Sequence, residues 1–274
     1  MIGAIAGDII GSTRENFRIK RKDFDLFTRF STYTDDTVLT VAVADAMMSD
    51  RDYARTIKRY ARRHPMRGYG PRFALWMMSS SMAPYHSFGN GSAMRVSPVG
   101  YGFDDADTVA EEARRTAVCT HDHPEGIRGA QAVAMAVFLA RQGHPREAVR
   151  ERLEAWTGYD LSRHLAEIRP TYQFDVTCQG SVPEALIAFL EADSFEDAIR
   201  NAVSLGGDAD TQACIAGAVA EAYFKEVPER IVQEVHRRLP AGFRQVISAF
   251  YQRYGIPETG KHWFALEPPP PPSR

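Results

Sequence analysis

The chain has 274 residues, a formal net charge of -2 and 44% hydrophobic residues, an ordinary apolar share for a globular protein. Charge this close to balance excludes a global field that would draw it to nucleic acid or an anionic membrane, and no apolar run reaches the ~20 residues a bilayer span needs. Cys119, Cys178 and Cys214 are odd in number and lack CxxC spacing, which argues against a disulfide framework and for a reducing, cytoplasmic setting.

In chain order, Gly3 to Glu15 (GAIAGDIIGSTRE) has the small-residue spacing of a tightly packed core helix ending at Glu15, although Gly7, Gly11 and the polar Asp8 sit oddly in one. Thr34-Asp35-Asp36-Thr37 precedes apolar residues recurring at helical spacing from Val38 to Met47. Lys58 to Arg63 (KRYARR) reads as the wet face of a helix. Phe88 to Arg95 (FGNGSAMR) carries an Asn-Gly turn signal. A Gly-rich turn before a helix is also how backbone N–H groups cradle phosphates, though the GxGxxG pattern is absent. Residues 105–119 place Val109, Ala113, Thr116 and Ala117 on one helical face. Thr120 to Gly126 (THDHPEG) reads either as a cap for the helix after Pro124 or, through His121 and His123, as half a zinc site. Residues 127–141 and 211–224 are apolar all round and should be central helices. Residues 145–156, 181–192, 195–204, 228–238 and 242–253 predict further helices. Residues 171–178 (TYQFDVTC) alternate briefly, but one strand makes no sheet. The expectation is one all-α domain over 1–266 and a disordered proline-rich tail over 267–274.

Two acidic clusters are built alike: Thr34-Asp35-Asp36-Thr37 and Gly206-Gly207-Asp208-Ala209-Asp210-Thr211, each directly before a helix. Taken singly, each reads as a cap, since Thr and Asp are favoured there and complement the helix dipole. A cap needs one side-chain oxygen, however, and each cluster offers two carboxylates and a hydroxyl. Together they form an all-oxygen set suited to Mg²⁺ or Mn²⁺, and two such ions could share it.

The ordered series GAIAGDIIGSTRE, YTDDT, GNGSAMR, THDHPEG and SLGGDADT resembles the ADP-ribosylglycohydrolases, from residue 2 to about residue 224. The resemblance implies an all-α fold with a dinuclear metal cleft holding two Mg²⁺ or Mn²⁺. It makes Thr34, Asp35, Asp36, Asp208, Asp210 and Thr211 the metal ligands and Glu15 the catalytic acid or base. Gly89, Asn90, Gly91, Ser92 and Met94 match the loop lining the ADP-ribose cleft, His121 the histidine near the ribose, and Tyr85 and Phe88 become candidates to stack on adenine. The implied reaction is metal-dependent hydrolysis of the bond between ADP-ribose and a modified acceptor, on a protein or a small conjugate. The motifs do not read the acceptor, so arginine, serine, an acetyl ester and a nucleobase all stay open; no membrane partner is expected. Two other classes stand beside this reading. One is a non-catalytic relative that binds ADP-ribose or metal; the intact acidic clusters together with Glu15 argue against it. The other is a zinc hydrolase on His121 and His123, which lacks a third ligand.

Overall fold

The computed structural model describes residues 1–266; the proline-rich segment lies outside the described residues. Helices follow one another as α1 (Ile2–Gly11), α2 (Asp35–Met48), α3 (Tyr53–Arg63), α4 (Pro71–Met78), α5 (Ser97–Gly102), α6 (Ala106–Val118), α7 (Pro124–Arg141) and α8 (Arg146–Thr157). The series continues with α9 (Leu165–Ile168), α10 (Cys178–Leu190), α11 (Phe195–Val203), α12 (Ala209–Phe224), α13 (Glu229–Arg238), α14 (Ala241–Tyr254) and α15 (Pro257–Leu266). Among the described residues there is no strand, only an isolated antiparallel bridge between Gly89 and Thr177. The molecule is a single all-helical domain, and none of its described helices is long and apolar enough to cross a membrane. Cys119, Cys178 and Cys214 are all free and buried.

The centre is the antiparallel pair α1 and α12. Every residue of α1 is buried, as are Ala209 to Ala222 of α12. Gly3, Gly7 and Gly11, one turn apart, lie against Gly217, Ala213 and Ala209, also one turn apart in the opposite direction. A Cβ on Gly7 would stand 2.0 Å from the Ala213 carbonyl oxygen, so the two backbones touch, and any side chain there would force them apart. The glycines that look misplaced in a core helix are thus what lets the C-terminus of α1 meet the N-terminus of α12.

Some local expectations change. Helix α1 stops at Gly11 rather than at Glu15, because the chain turns through Ser12 and Thr13, with the Arg14 N–H bonded to the Gly11 carbonyl at 2.7 Å. Glu15 therefore lies on a bend beyond the helix. Lys58 is not on a wet face: it is buried, its Nζ donates to the carbonyls of Ser79 at 3.1 Å and Ser81 at 2.5 Å, and it sits 4.2 Å from the Trp76 ring centre. Arg59, Arg62 and Arg63 keep to the exposed side. The alternating segment 171–178 is not a strand; it pins the Gly-rich loop through Asn90 N–H to Val176 O at 2.8 Å and Cys178 N–H to Phe88 O at 2.9 Å.

Candidate metal centre and cleft

Three helix ends converge, and Asp8 joins two of them. Its carboxylate accepts the Thr34 N–H at 2.9 Å, the Thr34 hydroxyl at 2.7 Å and the Thr37 N–H at 3.1 Å, together with the Thr37 hydroxyl. One residue of α1 thereby satisfies the first turn of α2 and fixes where Asp35 and Asp36 stand. Thr34 is the side-chain cap of α2, accepting from Asp36 N–H at 3.3 Å. The capping role is filled by a hydroxyl, and the carboxylates are left over. On α12, Asp208 makes no capping bond with its side chain. Instead Asn90 of the Gly-rich loop donates to it at 2.8 Å. The turn before it needs a glycine, since Gly206 has φ +66°.

The result is two carboxylate triads. Oxygens of Asp8, Asp36 and Asp210 lie within 4.8 Å of one another, and so do oxygens of Glu15, Asp208 and Asp210. Asp210 belongs to both. The Thr211 hydroxyl is 3.4 Å from Asp36 Oδ2. Asp35 lines the same cleft but stands outside both triads. Histidine takes no part in these groups. His123 Nδ1 accepts the Glu125 N–H at 3.1 Å as the cap of α7, and His121 Nδ1 is bonded to the Thr120 hydroxyl at 2.7 Å. The zinc alternative is therefore set aside.

Among the described residues, no lysine or arginine forms an ion pair with any of these six carboxylates. Burial, the largest cause throughout, pushes Asp8 up to about 6 and holds Asp35, Asp36 and Asp210 well above the usual carboxylate range, with mutual repulsion adding to it. Asp208 and Glu15 are raised as well. These directions give a signed expectation for protein freed of divalent cations. Groups whose pKa is higher folded than unfolded bind more protons in the native state, so their contribution is full below the ordinary value near pH 4 and lost as pH rises through about 6 and beyond. The melting temperature of chelator-treated protein should fall across that window, and Asp36→Asn should flatten the slope. A slope of the opposite sign, or one unchanged in the variant, would contradict a self-repelling cluster.

A cleft of about 340 Å³ opens over the triads. Its lining includes Glu15, Asp35, Asp36, Asp208, Asp210 and Thr211, the loop residues Gly89, Asn90, Gly91 and Met94, and Tyr85 and His121. Three expected site residues stand off the lining. The Thr34 hydroxyl is turned to Asp8. Ser92 is buried, with its hydroxyl donating to the Gly126 carbonyl at 2.7 Å. Phe88 packs on the His123 ring with centroids 5.3 Å apart. In its place Phe174 reaches the cleft, with the Arg18 guanidinium 4.5 Å from its ring centre. Arg72 and Arg95 also line the cleft; Arg95 closes the GNGSAMR motif, but neither residue carries a signal in the sequence that marks it as part of the site. Asp8 had one visible signal, a carboxylate inside a wholly apolar helix.

Residues 1–259 match the family model described as ADP-ribosylglycohydrolase, and the chain belongs to that family. It is similar to the ADP-ribosylhydrolase ARH3 of Gallus gallus, 28% identical over 284 residues that cover 80% of this chain and 75% of the relative. The ADP-ribosylhydrolase ARH3 of Homo sapiens is 28% identical over 263 residues, 72% of each chain. A protein of Archaeoglobus fulgidus is 27% identical over 279 residues, 87% of this chain and 90% of its own. Among solved structures, an ADP-ribosylglycohydrolase-related protein complex superposes with a TM-score of 0.71 at 25% identity, covering 92% of this chain and 97% of that one.

Proposed function

We propose that the protein is a cytoplasmic, divalent-metal-dependent hydrolase that releases ADP-ribose from a modified acceptor. The observation that carries the proposal is the pair of carboxylate triads sharing Asp210 beneath a cleft walled by the Gly89–Met94 loop. The residues fit a pair of hard cations. Asp36 Oδ1 is buried without a hydrogen-bond partner, the six carboxylates have no cationic side chain paired with them among the described residues, and every available donor is oxygen. Asp35, Asp36, Asp208, Asp210 and Thr211 would hold two Mg²⁺ or Mn²⁺, with Asp8 and Thr34 fixing the set. When bound, the ions supply Lewis acidity toward the hydroxyls of the ribose next to the scissile bond.

The remaining work falls to the chain itself. Glu15 is half-buried, raised in pKa by burial and by Asp208, and as a member of the second triad it is placed to take a proton from the attacking water or to give one to the leaving group. The glycines of the loop admit a diphosphate near the backbone. Tyr85 and Phe174 offer aromatic faces to the adenine. Similarity to the two hydrolases supports the reading without choosing the acceptor.

The test is release of free ADP-ribose from a panel of arginine-linked, serine-linked, acetyl-ester and nucleobase-linked conjugates, with Mg²⁺, with Mn²⁺ and with chelator. At least one conjugate should be cleaved, and chelator should abolish the cleavage. ADP-ribose binding without release from any of them would instead support the non-catalytic reading.

A further inference from the structure

The geometry points to Arg95 and Thr120 as positioning residues that lock His121 with its proton on Nε2, facing the cleft as a hydrogen-bond donor. Arg95 closes the GNGSAMR motif, and its side chain is fully buried. Among the described residues it has no carboxylate partner, an expensive arrangement for a cation. Its Nη2 donates to the Thr116 carbonyl at 2.7 Å and to the Thr120 hydroxyl oxygen at 2.9 Å. A guanidinium can only donate, so Thr120 Oγ1 must accept there. The hydroxyl has one proton of its own, and its remaining neighbours are His121 Nδ1 at 2.7 Å and the Cys119 sulfur, a much weaker acceptor than a ring nitrogen. That proton goes to the ring, so Nδ1 accepts. In a neutral imidazole the remaining nitrogen, Nε2, must then carry hydrogen.

The ring is kept neutral by its surroundings. Burial first, then the Arg95 and Arg72 guanidinium groups, hold its pKa well below the ordinary histidine value. Nε2 makes no hydrogen bond within the described protein and lies beside the loop glycines; a Cβ on Gly91 would come within 3.1 Å of it. The ring stands 6.0 Å, centroid to centroid, from Tyr85 in the same wall. A histidine serving as a general base is commonly backed by a carboxylate that stabilises its protonated form. Here the backing is a hydroxyl and a cation, which disfavour that form. His121 therefore meets an acceptor oxygen of the ligand and takes no proton from it, leaving proton transfer to Glu15. The identity of the ligand rests on the hydrolase reading above; the tautomer does not.

The test is nitrogen NMR of the full chain labelled with ¹⁵N-histidine near neutral pH, with the His121 signals assigned by their loss in His121→Gln. Wild type should show Nδ1 as an unprotonated nitrogen and Nε2 as a protonated one. Thr120→Val keeps the branched shape and removes the hydroxyl, so the two tautomers should mix. Thr120→Ser should restore the single form. Affinity for ADP-ribose by calorimetry should fall about fivefold to tenfold in Thr120→Val, the worth of one hydrogen bond, and recover in Thr120→Ser. A wild-type ring protonated on Nδ1, or on both nitrogens, would overturn the inference. So would a valine variant with an unchanged spectrum, or with mixed tautomers and unchanged affinity. If wild type itself fails to bind ADP-ribose, the hydrolase reading falls while the spectra still decide the tautomer.

Discussion

Asp210→Asn should lose divalent-cation binding and hydrolysis together. The amide keeps the size of the side chain, and Asp210 is deeply buried at the start of α12, so the variant tests charge more than packing. Asp210 is the one carboxylate common to both triads, and its removal weakens both sites at once. Losing even a supporting contact to a metal ligand typically costs 10–100-fold in affinity. The loss of a shared ligand should exceed about a hundredfold for Mn²⁺, with ADP-ribose release falling to background. Asp35→Asn is the informative comparison, because Asp35 lines the cleft but lies outside both triads; its loss should be smaller. Titration calorimetry and a turnover assay on the same preparations measure both effects. Wild-type Mn²⁺ affinity in Asp210→Asn would remove the shared ligand from the account.

Glu15→Gln should separate chemistry from binding. Glu15 lies beyond α1 on a bend, only partly buried, so an isosteric amide there should leave the α1–α12 contact intact. A positioned general acid or base contributes about 10²–10⁴-fold, and turnover should fall by that much. Asp35, Asp36, Asp208 and Asp210 remain, with Asp8 still fixing the start of α2, so cation binding on the Asp36–Asp210 side should persist. ADP-ribose affinity should change little, since the loop, Tyr85 and His121 are untouched. Glu15 is also a member of the second triad. If Mn²⁺ affinity drops alongside turnover, Glu15 acts as a ligand and not as the proton carrier. Full activity in Glu15→Gln would take Glu15 out of the mechanism.

The helical class and the two acidic clusters were legible because they depend on local signals: apolar spacing, and carboxylates in excess of what a helix cap uses. Asp8 was visible as an anomaly but not as a joint, because its role depends on contacts with Thr34 and Thr37 more than twenty residues away. The same applies to Gly7 and Gly11, whose meaning appears only when Ala213 and Ala209 lie against them. Side-chain direction was the other limit. Ser92 and Phe88 belong to the loop that lines the cleft, yet Ser92 turns to Gly126 and Phe88 to His123, while Phe174 arrives from a segment with no motif. Lys58 misled for a related reason: a basic run can face water at most positions and still turn one residue inward to unsatisfied carbonyls. The short helices α4, α5 and α9, of 8, 6 and 4 residues, are too brief for periodicity to show.

On the proposed reading, the convergent helix ends hold two divalent cations. The most direct measurement is the number of Mn²⁺ ions bound per chain in metal-stripped protein, read by equilibrium titration with Asp210→Asn beside wild type. Two ions are expected in the wild type, and a collapse of both in the variant. Wild-type protein that binds no Mn²⁺, or that binds it equally well without Asp210, would contradict that reading.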